Sequence, residues 1–384
     1  MVTTTTIRSL QDLLPTIHDR RQEIERERRL PRDLVESLRR TGMFTMGVPR
    51  SLGGTEASPI ELMAAAETVA SADGSTGWCA MVGTANGISA GYMPAEGARE
   101  VFADPTRPTA GIAAPIGAAV RENGGVRVNG RWPFGSGITH CDWLWAGCLL
   151  MEGGQPVMTP HGPEMLHVWI PVKDVTIHDT WQVSGLCGTG SHDFTVKDVL
   201  VPDERTFRLL DPAGHWPEPL YQMPPLGLFV YQVAAVALGI ARGALDELAD
   251  LVQAKKPSLY EEPIAERPMT QIDLARAEGA LGSARAFLLD QVGALWQTVS
   301  AGHAPASRQI ALARIASTQA VETAATVTRT ASTLGGGTSL FLTSALQQRA
   351  RDAEALTHHF TVAPHTWEQA GRVLLGRQPG VPAF

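Results

Sequence analysis

The sequence predicts an α+β protein in which a helical N-terminal part, a central antiparallel β-barrel or sandwich, and a C-terminal four-helix bundle follow one another. Three observations support this order. Apolar residues recur at helical spacing up to about residue 103, and short β-type runs broken by Gly, Pro, Asp and Asn fill residues 109–211. Long segments rich in Ala, Leu, Arg and Glu follow residue 225. We therefore expect three domains, at residues 1–108, 109–212 and 213–384.

Length and composition indicate a soluble globular protein with an ample core. The chain has 384 residues, of which 44% are apolar and 18% charged, and its net charge is −7. It has no basic block of the kind that follows a phosphate backbone, which argues against a nucleic-acid partner. The longest apolar runs, such as Val230–Ile240, are too short to cross a bilayer, and residues 1–14 lack the layout of a signal peptide. We expect a cytoplasmic protein without a membrane partner.

The N-terminal part begins with a helix, because Ile7, Leu10, Leu14 and Ile17 share one face at helical spacing. The same spacing returns at residues 34–38, after Pro31. A Ser-Pro pair at residues 58–59 then opens a longer helix, and a further one is expected near Ser75.

The middle and last parts of the chain differ in their sequence patterns, the first typical of strands and the second of helices. The expected strands are residues 126–128, 143–150, 166–172, 175–177 and 194–201. The expected bundle helices are residues 228–253, 270–300, 307–334 and 340–355. The four cysteines lack a CxxC spacing and lie among apolar or glycine-rich neighbours, so we expect buried, reduced thiols and no metal.

The stretch of residues 128–147 is the first candidate for chemistry. Trp132 and Phe134 supply rigid aromatic area, and Gly135 and Gly137 flank a hydroxyl, that of Ser136. This combination suits a planar ring with a polar edge, such as an isoalloxazine. A hairpin whose aromatic side chains only fill the core fits this stretch equally well.

Several familiar motifs are absent, or lie in a structural context that does not suit their function. The glycines at 185, 188 and 190 resemble a dinucleotide loop, but a strand follows them instead of a helix. There is no P-loop sequence. The single Glu164-x-x-His167 lies in the β region, and the spacing of His358, His359 and His365 matches no standard metal site. We therefore expect no metal.

Three stretches carry a resemblance to a known family. The first is a W-x-F-x-S pattern followed by His and Trp, at Trp132, Phe134, Ser136, His140 and Trp143. The second is residues 179–205, with a GxxGTGS run, a strand and VPxxR. The third is Arg351-Asp352 followed by a histidine pair at 358–359.

Through these stretches the chain resembles the acyl-CoA dehydrogenase fold over nearly its whole length. Within that fold it is most similar to the reduced-flavin-dependent monooxygenases, the oxygenase components of two-component aromatic hydroxylases. Actinorhodin-type polyketide hydroxylases are the closest group, with indole and dibenzothiophene oxygenases as relatives. The dehydrogenases of the fold commonly carry a catalytic carboxylate in a C-terminal loop, whereas residues 358–366 here contain no Glu or Asp.

The resemblance implies an oxygenase component that uses reduced flavin (FMNH2 or FADH2) and O2. A C4a-hydroperoxide of the flavin would hydroxylate an aromatic or polycyclic small molecule, of the phenol, indole or polyketide type. It also implies a separate NAD(P)H:flavin reductase and, by analogy, a homotetramer. Three alternatives stay open: an acyl-CoA dehydrogenase or other flavin oxidase, an amine N-hydroxylase, and a non-catalytic assembly partner.

The resemblance also implies roles for individual residues. His359 would act as base or orient the peroxide, with His358 as its competitor, and Ser136 would bond to the flavin N5 or O4 edge or to a substrate hydroxyl. The expected flavin contacts are Trp132, Phe134, Ser136, Gly137, Thr189, Ser191 and Thr366. The expected substrate contacts are Trp78, His140, His358 and Phe360, although Trp78 and Phe360 also suit a core and His140 also suits a turn.

Overall fold

The computed structural model describes residues 2–160, 162–211, 216–256 and 261–380. The helices are α1 (Val2–Asp19), α2 (Arg21–Glu27), α3 (Arg32–Arg40), α4 (Pro59–Ala72), α5 (Gly74–Gly87), α6 (Ala95–Val101), α7 (Pro225–Ala254), α8 (Pro268–Ser300), α9 (Ser307–Gly335), α10 (Ala345–Thr357) and α11 (His365–Leu374). The strands are β1 (Ala110–Glu122), β2 (Gly125–Gly135), β3 (Trp143–Glu152), β4 (Gln155–Pro156), β5 (Met158–Thr159), β6 (Gly162–Pro163), β7 (Met165–Pro171), β8 (Thr176–His178), β9 (His192–Pro202) and β10 (Thr206–Phe207).

The N-terminal helices form where the spacing predicts them. Leu10 and Ile17 on α1 are completely buried. Helix α4 starts with a capping box, in which the Ser58 side chain accepts from the Glu61 backbone N–H and the Glu61 carboxylate accepts from Ser58. The buried Asp73 caps α5 by accepting from the backbone N–H and the hydroxyl of Thr76, both at 2.7 Å. These caps fix the start of the helix that carries Trp78.

The central sheet is mixed, so the prediction of a wholly antiparallel domain is wrong. Its strand order is β10-β7-β3-β1-β2-β9-β8, with β4 added to β3, and β1 pairs with β3 in parallel. The short strands β5 and β6 pair only with each other. Strand β1 was not among the strands predicted, because it is rich in Ala and Gly and lacks the usual alternation.

The position of β1 also changes the interpretation of residues 128–147. Strands β2 and β3 lie on either side of β1, so they do not form the hairpin that was one of the two interpretations of this stretch. The segment between them, residues 136–142, crosses from one neighbour of β1 to the other. It therefore reaches the edge of the sheet that faces the helices, where Ser136 meets α5.

The C-terminal helices pack as predicted around α7, and α11 follows Pro364 as an element that the sequence did not indicate. Helix α7 is 30 residues long and apolar enough to span a membrane by length and composition, but 89% of its most apolar window is buried inside the protein. It packs against α4, α9 and α10 and serves as the core of the helical layers. Such burial is the behaviour of a core helix in a globular fold.

The predicted domain limits stay predictions. Within the described residues, all strands lie between Ala110 and Phe207, between the helices α6 and α7. The predicted limit at 212/213 falls in residues 212–215, outside the described residues. The four thiols are free, with Cys79, Cys141 and Cys148 buried and Cys187 half-buried.

Candidate active site

A cavity of about 1000 Å³ lies where the helical layers meet the sheet. Its walls come from α5, β1, the end of β2, the loop of residues 181–191, the start of α7, and residues 350–360. Most of the lining is apolar, with a few hydroxyl groups and one histidine ring facing inward. Large apolar cavities with a small set of convergent polar groups are the usual form of a small-molecule site.

A continuous row of hydrogen bonds runs along one wall of this cavity. The indole N–H of Trp78 donates to Ser136 Oγ at 2.9 Å, and Ser136 Oγ lies 2.7 Å from Ser191 Oγ. Ser191 Oγ lies 2.7 Å from Thr189 Oγ1, which donates to the carbonyl oxygen of Leu186 at 2.8 Å. All three hydroxyl residues are buried. We name this set, from Trp78 to Leu186, the hydroxyl row.

The two ends of the hydroxyl row fix the direction of its hydrogen bonds. A carbonyl only accepts and an indole N–H only donates, and each hydroxyl has a single hydrogen. Because Thr189 donates to Leu186, Ser191 donates to Thr189 and Ser136 donates to Ser191. Ser136 therefore accepts from Trp78 and presents its remaining lone pair as an acceptor at the cavity wall.

The loop that ends the hydroxyl row is anchored by a contact with α10. Leu186 has a left-handed backbone with φ 52°, and its N–H donates to the buried Asp352 Oδ1 at 2.6 Å. Its carbonyl also accepts from the Trp181 indole at 3.1 Å. Burial, with Asp73 nearby, raises the pKa of Asp352 to about 7. The resemblance singled out Arg351-Asp352 as a motif, and the structure gives Asp352 this anchoring contact.

Phe134 stands out because it is a large apolar side chain that is 59% exposed. Its φ is 64°, which is rare for a bulky residue, and it lies where the pairing of β2 with β9 shifts register between Trp132 and Gly135. The bulge turns its ring towards the cavity, where it meets the Trp181 ring edge-on at 6.0 Å. Strained aromatic residues at a cavity mouth point to a functional constraint.

His359 lies next to Trp78, the first member of the hydroxyl row. Its ring contacts those of Trp78 at 5.4 Å, Phe229 at 5.6 Å and Phe360 at 5.1 Å. Its Nδ1 lies 2.8 Å from Thr361 Oγ1. Burial, with Arg314 as the second cause, lowers the pKa of His359 to about 4, so the ring is neutral at physiological pH.

The remaining part of the lining is more polar and more open. His358 and the largely exposed Phe360 lie beside His359 at the cavity wall. Glu354 is the one carboxylate among the described lining residues, and it forms an ion pair with Arg329 at 2.7 Å. Within the described residues no group of three or more His, Cys, Asp or Glu side chains is placed to hold a metal ion.

Eight of the twelve expected site residues meet at this cavity, namely Trp78, Phe134, Ser136, Thr189, Ser191, His358, His359 and Phe360. Four others lie elsewhere. Trp132 is fully buried in the sheet core, stacks on Phe194 at 5.3 Å and donates its indole N–H to Gly147 O at 2.8 Å. Gly137, with φ 73°, holds the loop by donating its N–H to Thr189 O at 2.9 Å.

The other two expected residues also lie outside the large cavity. His140 lines a separate polar pocket of about 340 Å³, together with three arginines. Burial lowers the pKa of His140 to about 4. Thr366 is buried at the start of α11 and donates to the carbonyl oxygen of Thr361 at 3.3 Å.

Four further residues belong to the site although the sequence did not single them out. Trp181 and Phe229 add aromatic walls, and Thr361 and Arg314 support His359. Arg314 gave the one usable signal, because it is an arginine among small residues of α9, which include Ala313, Ala316 and Ser317. A buried charge in such a place needs a partner.

The chain is similar to known proteins along its whole length. Residues 12–101 match the family model of the acyl-CoA dehydrogenase N-terminal domain, and residues 231–364 match that of the C-terminal domain. The chain is 34% identical over 374 residues to an indole-3-acetate monooxygenase of Pseudomonas putida, covering 97% of this chain and 94% of that protein. It is 31% identical over 284 residues to the flavin-dependent monooxygenase oxygenase subunit HsaA of Rhodococcus jostii, covering 72% of this chain and 73% of that protein.

Solved structures support the same conclusion. The crystal structure of the 3-HSA hydroxylase from Rhodococcus sp. RHA1 superimposes with a TM-score of 0.92 at 27% identity and covers 99% of both chains. The sequence matches, the shared architecture and the cavity between sheet and helices agree with one another. The chain therefore belongs to the flavin-dependent monooxygenases of the acyl-CoA dehydrogenase fold.

Proposed function

We propose that this chain is the oxygenase component of a two-component monooxygenase, which uses reduced flavin and O2 to hydroxylate an aromatic or polycyclic small molecule. The observation that carries this proposal is the cavity, which a buried hydroxyl row, a neutral histidine and several aromatic side chains line together. The relatives are monooxygenases, and one is described as an oxygenase subunit. That description supports a separate partner that supplies reduced flavin.

The residues of the cavity fit a flavin ring. Ser136 offers an acceptor at one wall, backed by Ser191 and Thr189, and Phe134 and Trp181 offer aromatic surface for a planar ligand. Reduced flavin contains an N5–H donor, which matches an acceptor better than the unprotonated N5 of oxidised flavin does. When bound, the flavin supplies the electrons that activate O2 for transfer to the substrate.

The chain itself supplies binding, orientation and exclusion of water. An isoalloxazine ring fills only part of about 1000 Å³, which leaves room for an aromatic substrate. The part of the cavity lined by Val82, Ile88 and Trp145 is apolar and suits such a ring. Trp78 and Phe229 close the side next to His359, and a dry cavity protects the activated oxygen from water.

The lining argues against an acyl-CoA dehydrogenase. Such an enzyme needs a free carboxylate to remove a proton next to the thioester carbonyl. The carboxylate found among the described lining residues is Glu354, which is exposed and paired with Arg329. Amine N-hydroxylation uses the same flavin chemistry, so it is distinguished from ring hydroxylation by identifying the product. An idle assembly partner would not need an intact hydroxyl row.

Assembly and partners follow from the same proposal. We expect a separate NAD(P)H:flavin reductase, a homotetramer and a cytoplasmic location. An exposed apolar turn supports contact between subunits, because Leu340, Phe341 and Leu342 are 84%, 66% and 79% exposed.

Rapid mixing tests the proposed function. Anaerobic protein with photoreduced FMN or FADH2 is mixed with oxygenated buffer while the absorbance is recorded, and the product is analysed after reaction under ¹⁸O₂. We expect a transient absorbance that differs from those of reduced and oxidised flavin, and one labelled oxygen on an aromatic carbon. Direct return to oxidised flavin, with bleaching of bound FAD by an acyl-CoA, would favour the dehydrogenase instead.

A further inference from the structure

Two groups of Thr361 lie within hydrogen-bond distance of the same ring nitrogen of His359. The backbone N–H of Thr361 donates to His359 Nδ1 at 3.4 Å, and Thr361 Oγ1 lies 2.8 Å from the same atom. A backbone N–H cannot accept, so Nδ1 carries a lone pair and no hydrogen. In a neutral imidazole the hydrogen is then on Nε2.

Thr361 is itself held firmly in this position. It is buried, and its carbonyl oxygen accepts from Arg314 Nη2 at 3.0 Å and from Thr366 Oγ1 at 3.3 Å. Arg314 on α9 is only 5% exposed, so its positive charge beside the ring disfavours an imidazolium. The position of Thr366 in this set gives it a supporting role.

The second ring nitrogen points to the chemistry. His359 lines the cavity, and its Nε2 has no hydrogen-bond partner among the described residues. The charged or titratable groups near it are Arg314, and His358, Glu354, Arg329 and Arg351 along the cavity wall. The Glu354 carboxylate is paired with Arg329, which leaves Nε2–H for a ligand.

We propose that His359 is a fixed hydrogen-bond donor to an oxygen atom of the substrate, held in the Nε2–H form by Thr361 and Arg314, and that it is not a proton acceptor. This inference rests on the proposed function for its substrate and deepens it. The substrate class is an aromatic ring with a phenolic or carbonyl oxygen near the carbon that is hydroxylated. Thr361 and Arg314 are positioning residues.

The tautomer is tested without flavin, substrate or turnover. Protein labelled with ¹⁵N-histidine is examined by NMR from about pH 5.5 to about pH 8.5, with His359→Gln to assign the signals. We expect an unprotonated Nδ1 and a protonated Nε2 that do not change over this range. A titration near pH 6.5, or the opposite tautomer, would overturn the proposal even if the protein proves to be a monooxygenase.

The oxygen preference is tested by binding to the flavin-free protein. The probes are 2-naphthol and 2-methylnaphthalene, of which the first has a hydroxyl group where the second has a methyl group. We expect wild type to bind 2-naphthol about tenfold more tightly, His359→Ala to lose this ratio, and His359→Gln, which keeps an N–H donor, to retain part of it. An unchanged ratio in His359→Ala would contradict the role of donor.

The positioning role is tested at Thr361. Thr361→Val removes the hydroxyl and keeps the shape, whereas Thr361→Ser keeps the hydroxyl and serves as the matched control. Thr361→Val loses the shorter, 2.8 Å contact and keeps only the 3.4 Å contact from the backbone N–H, which holds the tautomer less firmly. We therefore expect it to show a minor share of the second His359 tautomer in the NMR spectrum and a reduced 2-naphthol ratio, with both restored in Thr361→Ser. A single Nε2–H form in Thr361→Val would remove the hydroxyl of Thr361 from the proposal.

Discussion

Single side chains decide which hydrogen-bonding groups the cavity presents. Ser136 accepts and His359 donates, because each is committed on its other side, to Ser191 and Thr361 respectively. A serine and a histidine by themselves would be able to do either. The direction is set by Leu186 O at one end of the hydroxyl row and by the backbone N–H of Thr361 beside His359.

The hydroxyl row predicts how Thr189→Val affects flavin binding. The substitution removes the acceptor of Ser191, so the row can reverse and Ser136 can donate into the cavity. We expect the affinity for reduced FMN to fall about tenfold relative to that for oxidised FMN, the equivalent of roughly 1.4 kcal/mol. Anaerobic fluorescence titrations measure both dissociation constants.

Thr189→Ser is the control for this prediction, because it keeps the hydroxyl and should bind both flavins like wild type. An equal loss of affinity for reduced and oxidised FMN in Thr189→Val would mean that the substitution disturbs the loop instead of reversing the row.

The structure brings Phe134 to the cavity but not Trp132, although the sequence indicated both, for one physical reason. Alternation along a strand places residues 132 and 134 on the same face. The bulge between Trp132 and Gly135 breaks this alternation, so Trp132 enters the sheet core and Phe134 faces the cavity. The glycines that permit such a bulge are visible in the sequence, but the register of the strand pairing cannot be predicted from it.

At the level of elements, α10 and the loop of residues 184–189 form one unit. Asp352 on α10 accepts from Leu186 N–H, and Arg351 donates to the carbonyl oxygen of Ser184 and pairs with Glu25 on α2. The hydroxyl row ends on this loop, so the position of a helix from the end of the chain controls Ser136 through three hydrogen bonds.

We expect Asp352→Ala to loosen this unit. It leaves the buried N–H of Leu186 without an acceptor, which costs about 1–3 kcal/mol. Urea unfolding followed by circular dichroism should show a lower midpoint, and the affinity for reduced flavin should fall with it. Asp352→Asn retains an acceptor oxygen at the same place, and a midpoint as low as that of Asp352→Ala would show that the N–H contact is not what matters.

The elements themselves were predicted well where periodicity is strong. Helices α1, α4, α7, α8 and α9 lie where apolar spacing and start signals indicate them. Strand β1 was missed because Ala and Gly are not typical strand residues, although both fit a strand that packs between two neighbours. The parallel pairing of β1 with β3 depends on contacts between distant residues, which local pattern does not contain.

For the whole molecule, buried histidines make stability depend on pH. Burial lowers the pKa values of His140, His167 and His359 from 6.5 to about 4. Between these pH values the three histidines are protonated in the unfolded chain but not in the folded chain. The free energy of unfolding therefore falls as the pH drops from about 6.5 towards 4. Asp352 acts in the opposite direction, because its pKa is raised from 3.8 to about 7 and the folded state holds its proton more tightly.

We expect the urea midpoint to fall between about pH 6.5 and about pH 4.5, since four histidines with lowered pKa values, His192 among them, oppose two buried carboxyl groups with raised pKa values, Asp352 and Asp73. Asp352→Asn removes one opposing group and should make this fall steeper, and His167→Phe should make it shallower. Unfolding curves at several pH values measure these slopes. A steeper fall in His167→Phe would contradict a buried neutral His167.

The cavity draws its walls from residues as far apart as Trp78, Ser136, Phe229 and Phe360. Such separations are slow to close during folding, so the site is completed late. A growing chain on the ribosome contains the hydroxyl row long before it contains His359, and until then the side that α10 covers stays wet. The closed cavity is therefore a property of the whole folded chain, because a fragment that ends before residue 350 lacks one of its walls.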